Sequence, residues 1–192
     1  MQKGAITSAL VIGVLGIGFW VWTHPVTPVQ NSPINITNAF ASASPSPADT
    51  IAAPASTFTH TYTNKKYSLS FGYPDGYSVR STPNADGGGD TILIQNDTTK
   101  KGVQILITPY DDADANITEK KIETDIPDMK VSDPQPVPVG RNQGLAFISD
   151  NGAFDGNSRE VWFVFKGNLY QISTYASYDD FVKTLFSTWK FN

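Results

Sequence analysis

The residues best suited to chemistry are the acidic ones between positions 111 and 123. Asp112, Asp114, Asn116 and Glu123 fall at positions 1, 3, 5 and 12 of a calcium-binding loop. The sixth position of such a loop is glycine, and Ile117 in its place resists the sharp turn because its side chain is β-branched. The pattern therefore favours a solvated loop that caps the following helix, with a weak, irregular divalent-cation site as the alternative.

Residues for nucleophilic or phosphate chemistry are poorly arranged. The two histidines are His24 and His60, and neither lies in a Ser/His/Asp pattern or near a Gly-x-Ser-x-Gly motif. The glycine-rich run from Asp86 to Asp90 lacks the Lys-Ser/Thr pair of a phosphate loop and is typical of a hairpin loop. Hydrolysis by a pair of carboxylates stays open, because acidic residues are plentiful. No catalytic residue and no cofactor is assigned.

Composition removes several further classes of function. The 192 residues contain no cysteine, which excludes disulfides, thiolate metal sites and cysteine nucleophiles. Eighteen acidic residues against fourteen basic ones give a formal net charge of −4. A nucleic-acid-binding domain is normally basic, so we expect no nucleic-acid partner.

The N-terminal residues 1–23 are expected to form a transmembrane signal-anchor. Residues 5–22 contain no charge, and 18 residues of helix span about 27 Å, close to the thickness of a hydrocarbon core. Trp20 and Trp22 end the run where headgroups are expected, and Lys3 precedes it. The positive-inside rule then predicts a cytoplasmic N-terminus and an extracytoplasmic remainder. The alternative is a cleaved signal peptide, for which Ala39-Phe40-Ala41 is the best cleavage site.

Residues 24–57 have the composition of a disordered linker. They hold six prolines, many Ser, Thr and Ala residues, and a single charge at Asp49. No period of 2 or 3.6 persists, so the segment cannot bury enough apolar area to offset its chain entropy. We expect a partly polyproline II stalk between the membrane and a globular domain at 58–192.

The domain has the periodicity of an antiparallel sheet. Short apolar runs alternate with turn residues, which predicts a strand around Tyr67–Phe71 and others at 91–95, 102–108, 145–148, 160–165 and 169–175. Gly167-Asn168 predicts a hairpin between the last two. Residues 161–165 carry apolar bulk on both faces, as a central strand covered on two sides does.

Two helices are expected to cover the sheet. One runs from Ile117 to about Thr124 with Asn116 as its N-cap, and the other runs over 178–187. Trp189 and Phe191 are expected to pack under the sheet. The resulting fold class is α+β, an antiparallel sheet flanked by helices.

Residues 62–74, with the sequence YTNKKYSLSFGYP, resemble the opening hairpin of PsbP-like domains. The Trp162-Phe163 strand, the hairpin at 167–172 and the closing aromatic residues at 186–191 are similar too. Tyr77 stands where the family usually has tryptophan. The resemblance covers roughly 58–192 and implies an α/β/α sandwich, which in photosynthetic members is an accessory of a membrane complex. It extends to bacterial envelope proteins that pair one N-terminal anchor with this domain, and it implies no catalytic residue.

These observations favour a membrane-tethered, extracytoplasmic, non-catalytic binding or accessory domain of the cell envelope. Its expected partners are the lipid bilayer, through residues 5–22, and an envelope protein. The alternatives are an envelope hydrolase that uses carboxylates and a weak divalent-cation-binding module. Five aromatic residues could form a recognition patch, although core packing is favoured for them: Trp162, Tyr170, Tyr175, Tyr178 and Trp189.

Overall fold

The computed structural model describes residues 57–85 and 87–192, which form ten strands and two α-helices. The strands are β1 (His60–Asn64), β2 (Leu69–Tyr73), β3 (Tyr77–Pro83), β4 (Asp90–Asn96), β5 (Gly102–Pro109), β6 (Ser132–Val139), β7 (Asn142–Ser149), β8 (Ser158–Phe165), β9 (Asn168–Tyr175) and β10 (Lys190–Phe191). The helices are α1 (Glu119–Asp125) and α2 (Asp179–Thr188). The prediction of a mainly antiparallel sheet with two short helices is confirmed.

Seven strands form one antiparallel sheet in the order β3-β4-β5-β9-β8-β7-β6. The predicted hairpin joins β8 to β9, but its two connecting residues are Lys166 and Gly167 rather than Gly167 and Asn168. Both have positive φ, at 47° and 70°, as a two-residue hairpin turn of the type that matches strand twist requires. Asn168 is then free to pair with Phe165 as the first residue of β9.

The two faces of this sheet are covered by different elements. On one face, Val161, Phe163 and Ile172 pack against α2 through Val182 and Leu185, and the three-stranded sheet lies in the same cluster. On the other face, a second cluster places Ile117 and Ile122 against Trp162, Phe147 and Leu169. The expectation that the 161–165 strand is covered on both sides is confirmed.

A second sheet has three strands in the order β1-β2-β10. The sequence patterns did not indicate that the domain contains two sheets. Its central strand contributes Leu69 and Phe71, both fully buried, to the larger core. Trp189 follows α2 and stacks on Phe71 with ring centroids 5.6 Å apart, and Phe191 packs against Phe165. The predicted packing of the C-terminal aromatic residues beneath the sheet is therefore confirmed.

Helix α1 begins two residues later than predicted, and Asn116 as its N-cap was wrong. Thr118 caps the helix, because its hydroxyl accepts a hydrogen bond from the backbone N–H of Lys121. The Asn116 side chain instead accepts from the backbone N–H of Gln143 and ties the loop to β7. Ile117 donates its own backbone N–H to the Gln143 carbonyl, which holds it extended.

The anchor at 5–22 and the linker up to Ser56 lie outside the described residues, so both stay predictions. Over 57–85 and 87–192, neither helix has the length and apolar character that crossing a bilayer demands.

Candidate functional site

A continuous strip of partly exposed aromatic side chains lies on one side of the domain. We call it the aromatic strip, and its members are Phe58, Tyr77, Phe154, Tyr175, Tyr178 and Phe181. Successive ring contacts of 5.0, 5.8, 5.7 and 5.4 Å lead from Phe58 through Phe181, Tyr178 and Tyr175 to Phe154. Tyr77 adjoins it with its ring centroid 5.2 Å from that of Phe181. Four segments that are distant in sequence therefore contribute to one surface.

The spacing of three of these residues explains half of the strip. Strand β9 ends at Tyr175, a 3-10 turn spans Ala176–Tyr178, and α2 then starts at Asp179. A 3-10 turn has three residues per revolution, and residues three apart also share a face of an α-helix. Tyr175, Tyr178 and Phe181 consequently point to the same side of the chain as it turns from strand to helix.

The strip carries one cation at its Phe154 end. The ammonium of Lys101 lies 4.5 Å from the centre of the Tyr175 ring, within the range of a cation–π interaction. It also lies 2.9 Å from a carboxylate oxygen of Asp155. The hydrogen bond to Asp155 raises the pKa of Lys101, so the amine stays charged at neutral pH.

The phenol of Tyr77, the ring next to Phe181 in the strip, stays neutral. Burial raises the pKa of Tyr77 to about 12, and its hydrogen bond with Tyr178 contributes in the same direction. The strip is thus an aromatic surface that ends at an ion pair between Lys101 and Asp155. Such a surface suits recognition of apolar, weakly charged chain segments better than it suits bond cleavage.

The structure divides the predicted recognition patch in two. Trp162, Tyr170 and Trp189 are 2%, 1% and 7% exposed and belong to the core, so core packing, the favoured alternative, is confirmed for them. Tyr175 and Tyr178 lie in the aromatic strip. Sequence reasoning missed Phe58, Tyr77, Phe154 and Phe181; only Phe181 carried a signal, its three-residue spacing from Tyr178.

Two of the acidic residues proposed for a cation site already make hydrogen bonds or ion pairs within the chain. Asp112 accepts from the Asp114 backbone N–H and lies 2.7 Å from the ammonium of Lys121. Asp114 accepts from the backbone and side chain of Asn116, while Glu123 is exposed on α1. Across residues 57–85 and 87–192, no three His, Asp or Glu side chains are grouped as metal ligands. Calcium binding stays a prediction, which thermal unfolding in millimolar calcium tests.

Lys121 of α1 pairs with two carboxylates, one in the loop before the helix and one at the end of the helix. Its ammonium lies 2.7 Å from Asp112 and 3.4 Å from Asp125. Burial opposes the charge on Lys121, but the hydrogen bond to Asp112 and the neighbouring negative charges outweigh it and raise the pKa of the amine. The two acids are therefore neutralised by a permanent cation between them, which is a structural clamp rather than an acid/base pair.

Glu160 is a buried carboxyl group that the sequence did not single out. It lies in β8 and is 1% exposed. One of its oxygens accepts from the Ser158 hydroxyl at 2.5 Å, and the other accepts from the Ser173 hydroxyl at 2.5 Å and the Trp162 indole at 3.1 Å. Burial raises the pKa of Glu160 although these donors act to lower it. Because the group is sealed from solvent, its role is to accept hydrogen bonds inside the sheet.

His60, the histidine of the domain, lies in β1 with half of its side chain exposed. Its Nε2 atom is 2.5 Å from an oxygen of Asp75, and the same oxygen accepts from the Thr59 hydroxyl at 3.2 Å. His60 is therefore a solvent-facing strand residue. The loop between β3 and β4 is closed by the backbone of Asn84, which pairs with Gly87 and Gly89, as the prediction of a hairpin loop required.

Among solved structures, the solution structure of cyanobacterial PsbP (CyanoP) from Synechocystis sp. PCC 6803 is similar to this chain. The two share 13% identity with a TM-score of 0.46, and the match covers 69% of this chain and 92% of the other. No protein-family model and no curated protein matches the chain. A PsbP structure thus stands among the similar structures, while membership of the family stays a prediction from residues 62–74 and 162–191.

Proposed function

We propose that the domain is a non-catalytic binding module of the cell envelope and that the aromatic strip is its binding surface. Residues 5–22 tether it to the membrane, and the linker gives it reach. The observation that carries this proposal is the continuity of six partly exposed aromatic rings from four separate segments. Extended aromatic surfaces on soluble domains are characteristic of interaction sites.

The energetics of aromatic side chains support this use of the strip. Tyrosine and phenylalanine offer large contact areas with few rotatable bonds, so little side-chain entropy is lost when a partner covers them. Tyrosine is among the residues most enriched where binding energy is concentrated. The acid at the Phe154 end of the strip, Asp155, is already paired with Lys101.

Cross-linked capture from membranes tests the proposal with the full chain. Phe154→Ser removes the ring at one end of the strip, and Tyr178→Ser removes the ring at its middle. We expect each to lower capture of the partner about tenfold, the loss typical of a residue at the centre of an interface. Tyr110→Ser is the matched control, because Tyr110 packs with the α1 cluster on the opposite face of the sheet.

Equal capture by the strip variants and the native chain would contradict the proposal, provided that thermal unfolding shows the variants to be folded. If the chain captured no partner but converted an envelope substrate, the carboxylate hydrolase would become the favoured function.

A further inference from the structure

We propose that the outer edge of β3 accepts an extended segment of the envelope partner as an additional antiparallel strand, and that this segment places a carboxylate opposite Arg80 and apolar side chains opposite Tyr77 and Val79. This inference rests on the proposed function, because it names how the partner binds beside the aromatic strip. In recognition by strand addition, backbone hydrogen bonds supply affinity and alternate side chains supply specificity.

Strand β3 lies at one end of the seven-stranded sheet, and its outer edge is open. Within residues 57–85 and 87–192, β3 pairs with β4 alone. The strand at the other end of the sheet, β6, carries prolines at three alternate positions that remove N–H donors from its edge. Strand β3 has a single proline, Pro83, at its last position. The N–H groups before Pro83 are therefore available to a further strand.

Hydrogen bonds at both ends of β3 fix the direction of its backbone groups. At one end the N–H of Asp97 donates to the carbonyl of Gly76, and at the other the N–H of Asn84 donates to the carbonyl of Gly89, both at 2.9 Å. The register with β4 is continuous between these two pairs. Alternate residues of a strand direct their N–H and C=O groups to opposite edges. The even-numbered residues of β3 thus bond to β4, and the odd-numbered residues point outward.

Three residues therefore present their N–H and C=O groups at the outer edge, namely Tyr77, Val79 and Ser81. An antiparallel strand exchanges two hydrogen bonds with each of them. The side chains of Tyr77 and Val79 pack against the larger core cluster and stay partly exposed. A residue opposite Tyr77 has its Cβ atom about 5 Å from that of Tyr77, and the Tyr77 ring lies 5.2 Å from that of Phe181. An apolar side chain at this position extends the aromatic strip.

Arg80 determines the chemistry on the other face of the added strand. It is exposed at the middle of β3 and points to the face opposite Tyr77 and Val79. Its guanidinium is 3.3 Å from the side-chain oxygen of Gln95, and the ion pairs of the described residues do not include it. Opposite charges that face each other across two strands stabilise the pairing. A carboxylate on the partner therefore fits this position.

The same arginine argues against a second copy of the chain as the occupant. Two β3 strands that pair antiparallel over their full length, Tyr77–Pro83, bring their two Arg80 side chains directly opposite each other. Like charges in that arrangement destabilise a sheet. A segment of different sequence, with an acidic residue at this position, is favoured.

Amide NMR of the full chain in detergent micelles, titrated with a designed peptide, tests the inference. The probe is Thr-Ile-Glu-Val-Thr-Phe with blocked ends, which in antiparallel alignment sets Phe opposite Tyr77, Val opposite Val79 and Glu opposite Arg80. We expect it to shift the amide resonances of Tyr77, Val79 and Ser81 and to leave that of Tyr110 in place. Absence of these shifts at a peptide concentration of about 1 mM, where even weak strand addition is visible, would overturn the inference.

Methylation of single peptide nitrogens separates strand addition from any other contact of the same probe. The N–H of the probe's Val faces β3, and the N–H of the Thr before Phe faces solvent. We expect N-methylation of Val to lower affinity about tenfold, and N-methylation of that Thr to leave it unchanged. Equal affinity of the two methylated peptides would contradict strand addition.

A charge exchange tests the role of Arg80. Replacing Glu by Lys in the probe should lower its affinity for the native chain about fivefold. Arg80→Glu should reverse the preference, so that the Lys peptide binds more tightly than the Glu peptide. An unchanged preference in Arg80→Glu would overturn the assignment of a carboxylate opposite this residue.

The capture experiment separates this inference from the proposed function. Ser81→Pro removes one outward N–H from an exposed position where a sheet edge tolerates proline. Ser81→Ala keeps this N–H, so we expect Ser81→Pro to capture about tenfold less partner than Ser81→Ala, with thermal unfolding showing that both are folded.

Equal capture by these two variants together with loss of capture by Tyr178→Ser would overturn strand addition and leave the binding function standing. Loss by Ser81→Pro together with undiminished capture by Tyr178→Ser would establish the β3 edge and remove the strip as the partner site. A native chain that sediments as a dimer, and becomes a monomer in Ser81→Pro, would assign the edge to a second copy and overturn the inference.

Discussion

The carboxyl group of Glu160 shows how a single buried residue makes stability depend on pH. Burial raises the pKa of Glu160, so the native state holds this proton more tightly than the unfolded chain does. The free energy of unfolding that Glu160 contributes is greatest below the unfolded pKa and falls as pH rises through the interval up to the native pKa. This pH dependence of stability is opposite in direction to that of a surface carboxylate in an ion pair, whose contribution grows as pH rises.

Two substitutions separate the charge of Glu160 from its hydrogen bonds. Glu160→Gln keeps an acceptor for Ser173 and Trp162, so we expect it to match the native chain in acid and to exceed it in stability above the native pKa. Glu160→Leu leaves the indole of Trp162 and two hydroxyls without an acceptor, which costs about 3 kcal/mol or more. Urea unfolding at several pH values measures both. A stability difference between Glu160→Gln and the native chain that stays constant with pH would contradict this account.

The same residue marks a limit of sequence reasoning. The alternation over 161–165 predicts a strand covered on both faces, and Trp162 and Phe163 are indeed buried. The donors of Glu160 come from its own strand and from Ser173 of the neighbouring one. Such cross-strand partners depend on register, which periodicity alone does not fix. The aromatic strip behaves in the same way, because Phe58 and Phe154 join it only through the tertiary fold.

At the scale of the elements, the stability of helix α1 depends on a few side chains because the helix is short. It has seven residues, too few to be stable without tertiary contacts, and Ile122 packs it against the sheet. Its N-cap is Thr118. We expect Thr118→Ala to lower the free energy of unfolding by about 0.5–2 kcal/mol, measured by urea unfolding. Thr124→Ala is the control: Thr124 lies on the exposed face of the same helix, and its replacement should cost nothing because alanine is the better helix former.

Strand β6 shows why one element escaped prediction. Pro134, Pro136 and Pro138 argue against a strand, since proline cannot donate to a ladder. Alternate residues direct their N–H groups to opposite edges, so prolines two apart all remove donors from the same edge. Val137 and Val139 keep their buried positions and the pairing with β7. Because β6 is the last strand of the sheet, the prolines block further pairing there.

At the scale of the whole molecule, the domain at 58–192 has a substantial core, and residues 5–22 carry our prediction of its position in the cell. The uncharged run, the tryptophans at its outer end and Lys3 before it predict a single-pass anchor with the domain outside. Protease added to intact cells should therefore cut between Pro25 and Ala55 and release the domain. Detection by an antibody to the domain measures this, and a domain that stays protected in intact cells but not in lysed ones would reverse the orientation.

Insertion of the anchor is tested by charge at its centre. Val14→Arg together with Leu15→Arg should cost about 5–7 kcal/mol of insertion free energy, so the chain should no longer resist extraction from membranes by carbonate. Replacing Ala39 and Ala41 with leucine is the control, because a signal-anchor leaves that cleavage motif unused and the mature chain keeps Lys3. Mass spectrometry of the native chain decides between the two alternatives. A mature N-terminus at Ser42 would mean a secreted domain that retains Pro45, Pro47, Asp49 and Pro54. In that case nothing would tether the domain to the membrane, and capture of an envelope partner would depend on the aromatic strip alone.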